Sequence, residues 1–143
     1  MIVALQFVVL VVASLVPQEA PRIDGQPRRV CLDAPRAIFQ VENRAGEPII
    51  ATLSVERWSD EGDGSRWAVV QEDITQRDAR PKQVRSVKLD SRQRRNIAWE
   101  LRERVAPPPL ITGRHRLVVT YVTRAGDPAG TVTHEFVIVD CGV

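Results

Sequence analysis

From residue 36 onward, apolar and polar side chains alternate in short runs, and each run closes on glycine, proline or acidic residues. A period of two sends every second side chain to one face of an extended strand, whereas a helix needs apolar positions three and four apart. In residues 36–43, Ala37, Phe39 and Val41 share a face, and Gly46-Glu47-Pro48 then turns the chain. Residues 49–58 set Ile49, Ala51, Leu53 and Val55 against Ile50, Thr52, Ser54 and Glu56. Past the loop at 60–64, Trp67 and Val69 alternate within 66–70, and Val87 and Leu89 do so within 84–90. Residues 96–102 place Ile97, Trp99 and Leu101 together; Ile97, Leu101 and Val105 also lie at helical spacing, but the alternation favours a strand. Pro107-Pro108-Pro109 stops any helix and extends the connection. Residues 115–124 are apolar or β-branched on both faces, which predicts a central strand, and 131–139 returns with Phe136 and Ile138 inward. Seven or eight short strands without a long helix predict two packed antiparallel sheets.

The amino end obeys a different rule. Residues 1–16 carry no charged side chain, and 2–15 are apolar apart from Gln6 and Ser14, until Pro17-Gln18-Glu19 ends the run. A membrane-spanning helix needs roughly 20 apolar residues, so this segment is short for one. Its length fits the apolar region of a secretory signal over residues 1–20, with Ala13, Ser14 and Ala20 near candidate cleavage points. An uncleaved anchor or a buried strand are the competing readings, and the absence of Lys and Arg weakens the signal's leading region. Residues 21–30, with Pro21, Gly25 and Pro27, read as an extended linker, leaving 31–143 as one domain. Export gives Cys31 and Cys141 their meaning: in an oxidising compartment a lone cysteine pair is most simply a disulfide. A redox-active pair would expect closer spacing.

At this point the chain resembles bacterial immunoglobulin-like domains of exported proteins. Phe39-Gln40-Val41-Glu42-Asn43, Trp67, Gly113-Arg114-His115-Arg116-Leu117 and Glu135-Phe136-Val137-Ile138-Val139 carry the resemblance. Such domains often end their first strand on Asn and open the penultimate one on Gly-x-Tyr-Arg; here His115 stands in the Tyr position. The layout is also similar to sandwiches named after a bacterial intracellular proteinase inhibitor. The resemblance implies an all-β, immunoglobulin-like antiparallel β-sandwich. It implies little about activity, because sandwiches host many unrelated functions.

Few residues carry reactive chemistry. His115 and His134 are the only histidines, and a hairpin pairing Arg124 with Thr131 would set His134 near Tyr121, away from His115. Both then read as strand-surface or edge residues, with no metal site and no cofactor. Asp60-Glu61-Gly62-Asp63-Gly64 has the composition of a turn, and the twelfth position of a calcium loop counted from Asp60 would fall on Gln71 rather than Glu. Lys82 and Lys88 are the only lysines among 20 basic residues, so arginine carries nearly all the positive charge. Arg92, Arg94 and Arg95 form a candidate anion-binding cluster, but Asp90, Glu100 and Glu103 interrupt its field, which favours a solvated strand surface. A net charge of +2 and the scarcity of aromatic residues in that cluster argue against nucleic acid. Trp58 and Trp67 flank the loop at 59–66; exposed they would form a stacking platform, buried they would cap the core, and the chain's 5% aromatic content favours burial.

These readings predict a non-enzymatic exported sandwich, a binding or structural module acting through its loops or an open strand edge. Its partner would be another envelope or extracellular protein, and no membrane span would remain after signal removal. The alternative is a proteinase-inhibitor-like protein presenting the loop 103–114.

Overall fold

Alternation becomes architecture in the computed structural model, which describes residues 19–24, 27–62, 64–75, 86–101, 109–123 and 130–142. The described strands are β1 (Arg22–Asp24), β2 (Arg29–Cys31), β3 (Arg36–Glu42), β4 (Ile49–Ser59), β5 (Arg66–Gln71), β6 (Val87–Leu89), β7 (Arg94–Glu100), β8 (Gly113–Thr123) and β9 (Gly130–Val139). One sheet runs β1-β3-β7 and the other β2-β9-β8-β4-β5, with β6 also paired to β4. All pairings are antiparallel except β2 with β9. This is an all-β, immunoglobulin-like sandwich.

The inward parities match the alternation of the sequence. Ala37, Phe39 and Val41 on β3 bury against Ala51, Leu53 and Val55 on β4 and Leu117 and Val119 on β8, together with Trp99, Phe136 and Ile138. Phe136 lies 5.5 Å from Phe39 and 6.2 Å from Trp99, centroid to centroid. The Trp99 indole N–H donates to Gln71 Oε1 at 2.9 Å, so the largest core side chain is also satisfied as a donor. Residues 94–100 are strand, not helix. β8 lies between β9 and β4, the central place expected of a strand apolar on both faces.

The structure revises four expectations. Residues 22–24 and 29–30, read as linker, belong to strands: 22–24 form β1 of the smaller sheet, and 29–30 join Cys31 in β2 of the larger one. In β5, Val69 is 52% exposed because it shares the outward parity of Trp67, opposite Glu56, while buried Val70 is the extra residue where the β4–β5 register shifts between Val55 and Glu56. An extra residue at a bulge changes the phase of everything beyond it. The hairpin register sets Thr120, not Arg124, opposite Thr131, so His134 faces Leu117 and His115 faces Phe136. Both histidines therefore share the inward parity, and His115 is fully buried.

Cys31 and Cys141 are bonded, with their Cα atoms 5.4 Å apart and a separation of 110 positions in sequence. The bridge lies at the end of the parallel β2–β9 pairing, where Cys31 neighbours Val139. Among the described residues, no helix is long and apolar enough to cross a membrane. The apolar run at 1–16 lies outside the described residues.

Candidate binding surface

Inward residues are committed to the core, so binding chemistry must come from the opposite parity. On the outer face of the larger sheet, Trp58 of β4 sits directly opposite Trp67 of β5. Their rings meet edge to face, 5.2 Å apart with 68° between planes. Both are half-buried, neither in the core nor fully exposed. They do not cap the core because Trp58 shares the parity of Glu56 and Ser54, which faces solvent. The Trp58 indole N–H donates to Asp60 Oδ1 at 3.0 Å, and Ser65 Oγ bonds the same oxygen at 2.7 Å. Asp60 thus clasps the 60–65 turn and fixes the Trp58 ring, the turn role its composition predicted.

Two arginines complete the surface. The Arg114 guanidinium lies 5.2 Å from the centroids of both tryptophans, and that of Arg116 lies 4.3 Å over Trp67. Each cation also has a carboxylate: Arg116 meets Glu56 at 2.7 Å, and Arg114 meets Glu135 through two bonds of 2.7 and 3.3 Å. A half-exposed cation–π contact contributes about 0.5–1 kcal/mol, and an exposed ion pair no more than that. Their larger effect is to hold four long side chains in one fixed arrangement, which reduces the entropy lost on binding. Exposed Val69 and Val137 extend the same face at either flank.

The other predicted residues are dispersed. Arg92 occupies the β6–β7 turn with φ 63°. Arg94 points outward from the smaller sheet and pairs with Glu42 at 3.4 Å, while Arg95 has the opposite parity and is exposed. Consecutive strand residues face opposite ways, so Arg94 and Arg95 cannot grip one anion together. His115 stacks on Phe136 at 5.7 Å and donates its Nδ1 proton to the Gly113 carbonyl at 2.9 Å. Its position on the inward parity, two residues before Leu117, removes it from the surface. His134 donates Nε2–H to the Pro27 carbonyl at 2.9 Å. Of the loop 103–114, residues 103–108 lie outside the described residues; Pro109 and Ile111 are exposed, and Gly113 already belongs to β8.

Arg114 and Arg116 were missed as surface residues by sequence reasoning. Their signal was the parity of β8, legible in Arg-His-Arg-Leu, but only the β4–β8 register places them beside Trp58.

No family model matches the chain, and no curated protein matches it in sequence. Among solved structures, it superposes on a chain of the chaperone–tip adhesion subunit pre-assembly complex CsuC–CsuE, from the archaic chaperone-usher Csu pili of Acinetobacter baumannii. That match has a TM-score of 0.58 and 10% identity over 87% of this chain and 54% of that one. The chain thus spans about half the length of that neighbour. The human CEP192 ASH/PapD-like domain 7 aligns over 99% of both chains, with a TM-score of 0.48 and 9% identity. At 10% identity the likeness to the first neighbour is one of fold alone, a β-sandwich.

Proposed function

We propose that this chain is an exported, non-enzymatic sandwich that binds another protein through the outer face of its larger sheet. The observation that carries the reading is the Trp58–Trp67 pair with Arg114 and Arg116 laid against it. Tryptophan and arginine are the residue types that dominate binding hot spots, and here they are solvent-facing and already ordered. The exposed flanks of Val69 and Val137 add apolar area suited to a protein partner. Export is supported by the apolar amino end of the sequence and by the Cys31–Cys141 bridge, which persists in an oxidising compartment. The non-enzymatic reading is supported by the placement of both histidine rings, each bonded to a backbone carbonyl rather than beside a nucleophile. The CsuC–CsuE complex offers a parallel in which similar folds meet other proteins.

The test is cross-linking in the envelope fraction of producing cells, with wild type and the Trp58→Ala/Trp67→Ala variant compared at equal abundance. The expected result is one specific partner cross-linked by wild type and lost in the variant. An identical cross-linking profile for both proteins overturns this surface as the binding face.

A further inference from the structure

The smaller sheet ends on β7, which pairs with β3 on one side and with no other described strand. The phase of that pairing can be read at its ends. The Asn43 N–H donates to the Gln93 carbonyl at 2.9 Å, and the Leu101 N–H to the Pro35 carbonyl at 3.0 Å. Both pairs continue the β3–β7 register, and in an antiparallel ladder hydrogen-bonded pairs recur at every second residue. Arg95, Ile97 and Trp99 therefore bond to β3. The backbone groups of Arg94, Asn96, Ala98 and Glu100 point out of the sheet, forming a seven-residue edge whose donors and acceptors have no strand partner among the described residues.

We infer that this edge pairs with β7 of a second copy of the chain, antiparallel, about a two-fold axis at Ile97. Phase and charge agree on that register. The outward-bonding residues must face each other, and the register that uses the whole strand sets Arg94 opposite Glu100 of the second copy and Asn96 opposite its Ala98. That makes four hydrogen-bonded pairs and about eight backbone bonds. On the outward face of each subunit, Arg94 already meets Glu42 at 3.4 Å and Glu100 meets Arg36 at 3.5 Å. Joining the edges produces the row Glu42, Arg94, Glu100 of the second copy, Arg36 of the second copy. The signs alternate across all four strands, and the two-fold axis repeats the row at the other end. Opposite charges placed directly across strands are favourable, and like charges there are not. Arg95, the one charge of the core-side parity on β7, is exposed at the rim, and its long stem lets the guanidinium stay in water beside the join. β5 at the edge of the other sheet has no acidic residue, so the same operation there brings no opposite charges together.

Two reversals test the register. Arg94→Glu leaves only acidic residues at positions 94 and 100, and Glu100→Arg leaves only basic ones, so each variant repels itself. Mixed, they are complementary again. Sedimentation equilibrium of the disulfide-bonded protein is expected to show a wild-type dimer in the micromolar range. Each variant alone should dimerise more weakly by about tenfold or more, and the equimolar mixture should recover a heterodimer. Hydrogen exchange on wild type gives a reading independent of any substitution. The amides of Arg94, Asn96, Ala98 and Glu100 should gain protection with concentration, while those of Arg95, Ile97 and Trp99 stay protected throughout. A monomer at every concentration, a dimer indifferent to both reversals, a mixture no tighter than its components, or a concentration-independent exchange pattern each overturns the proposal. The Trp58→Ala/Trp67→Ala variant should dimerise as wild type does, which separates this edge from the proposed binding face.

Discussion

Asn43 shows how much one residue can tie together. It is fully buried at the end of β3, and its amide nitrogen donates toward the carbonyls of Glu47, Leu89 and Asp90 at 2.8, 3.2 and 3.0 Å. Its side-chain oxygen accepts the Ala45 N–H at 3.0 Å. The β3–β4 and β6–β7 turns are thus fastened through one amide. Asn43→Ala strands buried carbonyls without donors and should cost about 2–4 kcal/mol, read as a lower urea midpoint with an unchanged slope. The tryptophans divide in the same way. Trp99→Ala empties the centre of the core and should cost about 3–5 kcal/mol, whereas Trp58→Ala, at a half-buried surface ring, should cost clearly less in the same titration. Equal losses would mean that Trp58 is a core residue after all.

At the scale of elements, alternation made most of the strands legible. The inward sets of β3, β4 and β9 could be read directly because their parity is uninterrupted from end to end. What alternation cannot carry is an offset between strands. The bulge beside Val55 leaves no mark in composition, since Val69 and Val70 are chemically identical, so the buried one could not be chosen in advance. The β8–β9 register was misjudged because β-branched residues fill both strands and any slip keeps apolar beside apolar. One glycine marks the true register. Gly130 stands opposite Tyr121, and a Cβ there would run into the Tyr121 phenol ring. Gly130→Ala should therefore displace that ring and destabilise by about 1–3 kcal/mol, measurable by chemical denaturation. The candidate surface was half legible for the same reason. Trp58 and Trp67 were visible as a pair across a loop, while Arg114 and Arg116 arrive from a strand whose register had to be seen.

Across the whole molecule, the Cys31–Cys141 bridge closes a loop of 110 residues. On chain-entropy grounds it should stabilise the fold by about 4–5 kcal/mol, so reduction, or Cys31→Ser/Cys141→Ser, should lower the melting temperature measurably. An unchanged melt would show that the β2–β9 pairing is held by packing alone. The bridge also matters under load. Tension applied between the extreme ends of the sandwich enters before β2 and leaves just after β9, so the covalent link carries it past the sheets. Only β1 and the start of β2 stand in series with the force. Pulled by handles attached near residues 20 and 142, the oxidised protein should lengthen by only a few tens of ångströms before it becomes inextensible. The reduced protein should release about 360–400 Å more. A domain wired this way behaves as a short tether with a sandwich hung beside it, and the proposed binding face keeps its shape while the chain is under strain.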